Sequence, residues 1–164
     1  MITEALVPGS ATVYQMENLN KARLLGGELD VQYRPFGLWQ LYANIAYTRG
    51  TNETDNTDLS FIPPLNGLAG MGYNKNSPGL WGDINLTWAA HQNKVSSEET
   101  RTPGWATVNL KAGYRFLIGK THHDLVLGID NLLDKAYANH LSTSRGVELS
   151  EPGFNAYLAW KMTF

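Results

Sequence analysis

The chain has 164 residues, a formal net charge of -2 and a mean hydropathy of -0.29. Its length fits one domain, and its nearly balanced charge gives no electrostatic reason to expect nucleic acid as a partner. It contains no cysteine, which excludes a disulfide framework and a thiolate metal site.

Apolar and polar residues alternate along most of the chain, which is typical of β-strands rather than helices. No apolar run approaches the roughly 18 residues of a transmembrane helix, and residues 1–6 do not resemble a signal peptide. The second predicted strand is expected to break near 18–21. In chain order, eight strands are predicted, at 2–6, 12–34, 38–48, 65–74, 80–90, 105–116, 124–131 and 154–164.

The last predicted strand, 154–164, has a length of 11 residues, and a transmembrane β-strand needs roughly 9–11. An edge strand of a soluble sheet is the alternative. The chain ends on an aromatic residue, and Trp160, Met162 and Phe164 resemble the C-terminal signal by which the barrel assembly machinery recognises outer-membrane proteins. One face of this strand holds Phe154, Ala156, Leu158, Trp160, Met162 and Phe164.

The connections between predicted strands alternate between short and long. They are short around Pro35, Pro78 and Gly119, and long and polar around Asn56, Glu98 and Ser144. Outer-membrane barrels show this asymmetry, with tight periplasmic turns and longer extracellular loops. A soluble barrel would alternate with its faces exchanged, but strand length, loop asymmetry and the terminal Phe favour lipid on the apolar side. Aromatic girdles are expected from Trp39, Tyr47, Tyr73, Trp81, Trp88, Trp105 and Tyr114.

The segment 126–137 narrows the class of protein. Its Asn131, Leu132, Asp134, Lys135 and Tyr137 resemble a motif of TonB-dependent outer-membrane receptors, in which a hydrophobic strand runs into Asn-Leu-hydrophobic-Asp-Lys-x-Tyr. Physically, Asn131 and Asp134 are expected to bond nearby backbone groups and turn the chain, and Tyr137 to lie at an interface. Further segments resemble the same family in the same order: Asn18, Ala22 and 26–29, then 62–64, then 105–110.

The resemblance implies an all-β fold of about eight antiparallel transmembrane strands, with 1–164 as the C-terminal part of a 22-stranded barrel. Family members also carry an N-terminal plug domain and a signal peptide, which are expected to be absent here. The implied partners are outer-membrane lipid, TonB through the missing plug, and a metal or metal-chelate ligand, in the outer membrane of a Gram-negative bacterium. The fragment alone is expected not to transport. A complete eight-stranded barrel with a structural or adhesive role is the alternative, and a soluble ligand-binding barrel comes third.

The ligand is predicted only by class. Segments 137–142 and 151–153 resemble the copper-receptor branch of the family, and siderophores or other metal chelates are the alternatives. His91 and His140 begin long loops and are candidate metal ligands. The pair 122–123 is expected at a short, periplasmic turn, remote from an external ligand, and the acidic stretch 52–58 is expected to be a solvated loop.

The sequence shows no nucleophile elbow, catalytic triad or phosphate-binding loop, so neither an enzyme nor a cofactor is predicted. The polar face is instead expected to line the lumen of the barrel. It contains Asp30, Gln32, Asn44, Asp83, Asn85, Lys111, Arg115 and Lys161.

Overall fold

The computed structural model describes residues 2–6, 14–18, 21–74, 76, 78–142 and 149–164. Apart from one short 3-10 turn, η1, the regular structure of these residues is β-strand, and none of it is a helix long and apolar enough to cross a bilayer. The elements are β1 (Ile2–Leu6), β2 (Tyr14–Asn18), β3 (Ala22–Tyr33), β4 (Trp39–Asn52), β5 (Thr57–Asp58), β6 (Asn66–Tyr73), β7 (Gly79–Ala89), β8 (Trp105–Ile118), β9 (Thr121–Asp130), η1 (His140–Ser142) and β10 (Asn155–Thr163).

The main sheet is a meander of antiparallel strands in the order β10-β9-β8-β7-β6-β4-β3, with β5 paired to β4 as its eighth strand. The first strand, β1, pairs with β2 in a separate two-stranded sheet. Within the described residues, β3 and β10 are the edges of the main sheet, which is therefore not closed. This arrangement lacks the pairing of terminal strands that a complete eight-stranded barrel would need.

The predicted all-β, antiparallel class is confirmed, with two differences in the elements. The expected break near 18–21 lies between the end of β2 at Asn18 and the start of β3 at Ala22. Strand β4 extends four residues beyond the predicted end, and pairs there with the short β5. The prediction of a turn at 122–123 is wrong, because both residues lie within β9. Gly119 adopts a positive φ of 61°, which permits a two-residue turn between Ile118 and Thr121 and lets pairing resume at once.

The register separates an apolar from a polar face across the whole main sheet. Leu29 lies opposite Ile45 and Leu127 opposite Leu158, whereas Asp30 lies opposite Asn44. Among the described residues, five hydrophobic side chains are buried and 30 large hydrophobic ones are exposed, with Leu158 71% exposed. A protein surrounded by water would bury such a face, and none of the described residues covers it.

Four aromatic side chains lie over glycines directly across from them on a neighbouring strand. Beneath each ring, a Cβ on the glycine would collide with the aromatic side chain. The absence of a side chain therefore lets these rings lie flat against the sheet. The pairs are Tyr42 over Gly70, Trp81 over Gly113, Trp88 over Gly67 and Tyr157 over Gly128.

The substitution Gly128→Ala is expected to lower the free energy of unfolding by about 1–3 kcal/mol, because the added methyl group would displace the ring of Tyr157. Gly27→Ala is the matched control, since no atom lies within 4 Å of the Cβ that it adds. That control is expected to be neutral or to stabilise by up to about 1 kcal/mol. Urea titrations in detergent, followed by tryptophan fluorescence, measure both; equal midpoints would contradict the role of the aromatic–glycine pairs.

Candidate functional site

Two regions of the chain hold its polar chemistry. One is the polar face of the main sheet. The other is the set of three long connections that leave the same end of the sheet, at 53–65, 90–104 and 131–154. At the opposite end, the described strands of the main sheet are joined by the short connections 34–38, 74–78 and 119–120. A ligand that approaches from the long-connection end would meet these loops first.

A ladder of hydrogen bonds crosses the polar face. The hydroxyl of Tyr42 donates to the carboxylate of Asp83, 2.8 Å from each oxygen, by passing over Gly70 of the intervening strand. Asn85 Nδ2 donates to Asp83 Oδ1 at 3.2 Å, and Asn109 Nδ2 donates to Asn85 Oδ1 at 2.9 Å. The backbone N–H of Asn131 then donates to Asn109 Oδ1 at 3.0 Å. This arrangement holds a row of amides and a carboxylate in place on the polar face of the main sheet.

A second polar cluster lies on the same face near the short connections. Asp124 accepts hydrogen bonds from Arg115 Nε at 3.1 Å and from the indole N–H of Trp81 at 2.9 Å, and the Arg115 guanidinium lies 4.7 Å from the Trp81 ring centroid. The placement of Trp81 in an aromatic girdle is therefore wrong. It is buried on the polar face because its indole N–H finds a carboxylate there. A cavity of about 320 Å³ lies beside this cluster, lined in part by His122 and Lys161.

The motif residues at 131–137 hold the start of the last long connection. Asn131 is buried and adopts a positive φ of 50°, which asparagine tolerates. Its Nδ2 donates to the carbonyls of Lys135 at 2.9 Å and Pro152 at 3.2 Å, and its Oδ1 accepts from the N–H of Lys135 at 2.9 Å. Asp134 Oδ1 accepts from the N–H of Phe154 at 2.8 Å. The two ends of the connection are thus tied together where β10 begins.

The other two motif residues extend this anchor. Leu132 is exposed, but its N–H donates to the carbonyl of Val108 at 2.8 Å and so continues the pairing with β8. The Tyr137 ring lies 4.3 Å from the ring of Trp105. Burial raises the pKa of Tyr137, with Glu151 and Asp130 adding to the shift. Trp105, another expected girdle residue, is therefore part of the loop anchor.

A network of polar contacts around Glu99 joins the three long connections. Glu99 Oε1 accepts from the backbone N–H of Phe61 at 2.7 Å, and Oε2 accepts from the N–H of Ser96 at 3.2 Å. His140 Nε2 lies 3.8 Å from Glu99 Oε1, and His140 Nδ1 lies 3.1 Å from Thr102 Oγ1. Phe61 belongs to the first connection, Glu99 to the second and His140 to the third. No periodic pattern indicates this network, because its members come from irregular loops.

The two predicted metal ligands occupy different surroundings. His91 is exposed at the start of the second long connection. His140 is 3% exposed within the Glu99 network. No group of three or more His, Asp or Glu side chains has a metal-binding arrangement in the described part of the chain. His91 and His140 therefore stay predictions as metal ligands.

The C-terminal aromatic residues lie on the apolar face. The indole N–H of Trp160 donates to His123 Nδ1 at 3.2 Å, and the His123 ring is stacked between Trp160 and Phe116. The Thr121 hydroxyl donates to the Ile118 carbonyl at 2.8 Å, so it accepts from His123 Nε2. In this arrangement Nδ1 of His123 accepts a hydrogen bond and Nε2 donates one. Met162 pairs with His123 across the strands, and Phe164 is 91% exposed.

The chain matches one protein-family model and two curated proteins that share one name. The sequence model of the family described as "TonB dependent receptor-like, beta-barrel" matches residues 1–132. "Heme/hemopexin utilization protein C" of Haemophilus influenzae is 29% identical over 144 residues, which are 87% of this chain and 19% of that protein. The same protein from strain ATCC 51907 / DSM 11121 / KW20 / Rd is 28% identical over the same length. The chain therefore spans about a fifth of the length of these relatives.

Comparison with solved structures gives the same picture. The copper transporter OprC matches with a TM-score of 0.84 and 27% sequence identity, over 99% of this chain and 25% of that chain. The siderophore receptor PiuA from Acinetobacter baumannii matches with a TM-score of 0.62 and 18% identity, over 87% of this chain and 22% of that chain. The second similarity shows a shared fold.

Replacing Asn131 tests the loop anchor. Asn131→Ala is expected to lower the free energy of opening of the last long connection by about 2–4 kcal/mol, because it removes three hydrogen bonds and leaves buried backbone groups without their partner. Asn131→Gly, which relieves the positive φ but lacks the side chain, is expected to recover less than half of that loss. Hydrogen exchange across 132–142 measures the effect. Full recovery by glycine would show that backbone conformation, and not the amide, determines the anchor.

Burial lowers the pKa of His140 below its ordinary value of 6.5, against a smaller opposing effect of Glu99. As the pH falls, His140 therefore binds a proton at a higher pH in the unfolded loop than in the folded loop. The loop stability is complete above about pH 6.5 and is lost as the pH falls from there through the folded pKa. We expect hydrogen exchange at 99–102 and 138–142, corrected for intrinsic rates, to be faster at pH 5 than at pH 8. In His140→Gln this difference should shrink; an unchanged difference would assign the pH effect to another group.

Proposed function

The chain belongs to the TonB-dependent receptor-like β-barrel family, and we propose that it supplies wall strands and surface loops of an outer-membrane receptor that takes up a metal or metal chelate with energy from TonB. The observation that carries the proposal is the match of 99% of the chain to the copper transporter OprC at a TM-score of 0.84. Members of this family are transporters and not enzymes.

The two faces of the sheet support the placement in a membrane. Members of the family lie in the outer membrane of Gram-negative bacteria. We place the apolar face against lipid, because lipid surrounds its exposed apolar side chains without the unfavourable contact with water. The polar face, with the Tyr42–Asp83 ladder, then faces the lumen. In the complete wall, the edges of β3 and β10 pair with neighbouring strands, because lipid offers no other partner for their backbone groups.

The orientation follows from the lengths of the connections. In this proposal the three long connections face outward and the short turns face the periplasm. The ligand would then first meet the surface tied together by Glu99 and Asn131. Coupling to TonB belongs in this family to the plug domain, so we expect the 164 residues alone not to transport.

The class of ligand rests on the relatives. The matched structures are a copper transporter and a siderophore receptor, and the curated relative is named for heme and hemopexin utilization. Copper is a metal, and heme and the ferric form of a siderophore are metal complexes. Copper is the first ligand to test, since OprC has the higher TM-score and identity of the two structures, and an exposed imidazole such as His91 suits it.

The chain refolded in neutral detergent is to be titrated separately with Cu²⁺, a ferric siderophore and heme, and binding followed by tryptophan fluorescence. We expect Cu²⁺ to bind, and His91→Asn to lower the affinity for Cu²⁺ by at least about tenfold. Loss of a residue that only hydrogen-bonds a metal ligand already has an effect of this size, so loss of a ligand itself should have at least the same effect. His122→Asn is the matched control, because His122 is exposed at the opposite end of the sheet. Tighter binding of one of the chelates would assign that ligand instead, and binding of none of the three would contradict the proposal.

A further inference from the structure

We propose that the apolar face carries, at its long-connection end, a binding site for the phosphate-bearing headgroups of membrane lipid. The site consists of Lys21, Arg23, Arg49 and Lys94, which we call the basic patch. The inference rests on the membrane placement proposed above. It adds a specific headgroup site, which does not depend on which ligand is transported.

The register places Arg23 and Arg49 of the basic patch on the side of the wall that we assign to lipid. Arg49 lies opposite Leu25, and Arg23 lies opposite Thr51, so Arg23 and Arg49 are diagonal neighbours across β3 and β4. Both share the face of Leu25, Leu29 and Ile45 because side chains alternate along a strand. The guanidinium groups therefore lie directly beyond the apolar belt, toward the long connections. A phospholipid presents the same order of chemistry, with acyl chains followed by a phosphate.

A shallow concavity gathers part of the basic patch around one tyrosine. Tyr47, Arg49, Asp58 and Lys94 all line it. The ammonium of Lys94 donates to the Tyr47 hydroxyl at 3.2 Å and lies 5.7 Å from the centroid of the Tyr47 ring. Lys94 comes from the second long connection and Arg49 from β4, so two elements bring their cations to one place. A tyrosine hydroxyl, an ammonium and a guanidinium that line one concavity offer several donors to a phosphate oxygen.

The basic patch holds more positive charge than its own carboxylates neutralise. Glu53 bonds both Lys21 Nζ at 2.9 Å and Arg23 Nη2 at 2.6 Å, and Asp58 lies 3.2 Å from Arg49 Nη2. The hydrogen bond from Lys21 holds the pKa of Glu53 below its ordinary value. Four cations thus face two carboxylates, an excess of two positive charges on a chain whose net charge is -2. The side chains of Lys21 and Arg23 are 74% and 70% exposed, so they are accessible to a headgroup.

Lipid explains the position of the basic patch better than a free anion does. A site for a soluble anion has no need of neighbouring apolar surface, whereas this one continues into Leu25 and Leu29, which are 68% and 60% exposed. Each cation near a negatively charged lipid surface contributes about 1 kcal/mol, or roughly a fivefold change in affinity. The basic patch therefore attracts anionic lipid selectively over zwitterionic lipid of the same chain length.

The test begins with the chain inserted into phosphatidylcholine vesicles, and then measures energy transfer from tryptophan to fluorescently labelled phosphatidic acid at low labelled fraction. Unlabelled phosphatidic acid and unlabelled phosphatidylcholine compete for the same position. We expect Arg49→Gln/Lys94→Gln to lower the apparent affinity for phosphatidic acid about 25-fold. Lys94→Gln alone, which removes one exposed side chain, is expected to lower it about fivefold. It serves if the double variant does not fold.

The matched control is Arg34→Gln/Lys120→Gln, which removes the same charge at the short-connection end, where both side chains are exposed. The proposal predicts a change of less than about twofold for this pair. An equal loss in patch and control variants would mean general charge attraction and would overturn the site. Displacement of the lipid by millimolar inorganic phosphate would reassign the basic patch to a free anion and would overturn the lipid assignment. Failure to insert into neutral vesicles would overturn the membrane placement as well, whereas insertion without a preference for phosphatidic acid would overturn this inference alone.

Discussion

The antiparallel register of the main sheet is the constraint on which the other features depend. Backbone groups that face lipid have no water to bond, so each strand must satisfy them through its neighbours. Once the register is set, the face of every side chain is set too, because a slip by one residue exchanges the faces. Tyr42 reaches Asp83 only because the register places Gly70 beneath its ring. The basic patch is aligned with the apolar belt for the same reason.

The long connections are held by a different kind of interaction. Irregular loops leave backbone groups that no neighbouring strand can bond, and buried polar side chains bond some of them instead. Asn131 bonds the backbone at Lys135 and Pro152, and Glu99 bonds the N–H groups of Phe61 and Ser96. A surface that is held in this way keeps its shape at small entropic cost when a ligand binds. The described parts of the connections are therefore tied to one another and to the ends of the strands.

The sequence predicted those features that repeat along a strand or follow a family motif. Alternation was enough for the antiparallel strands and for both faces, and Asn131 bonds the nearby backbone of Lys135 as expected. Asp134 was also expected to bond a nearby backbone group, but its side chain bonds the N–H of Phe154, 20 positions away. What alternation cannot predict is a partner that is distant in sequence. Trp81 looked like a girdle residue because it lies near a strand end, but its indole bonds Asp124, 43 positions away. The link from Glu99 to Phe61 depends in the same way on loops whose paths have no periodicity.

The wall and the loops thus have different relations to the ligand in the proposed function. Apolar alternation, aromatic–glycine pairs and the Asn131 anchor all concern contacts within the chain, so they suit receptors for copper, siderophores or heme equally well. That explains how a chain can match a copper transporter over almost its whole length and also a protein named for heme and hemopexin utilization. In the function proposed above, selection of the ligand belongs to exposed side chains of the three connections, such as His91. Those side chains can change without any loss of register, since no strand pairing depends on them.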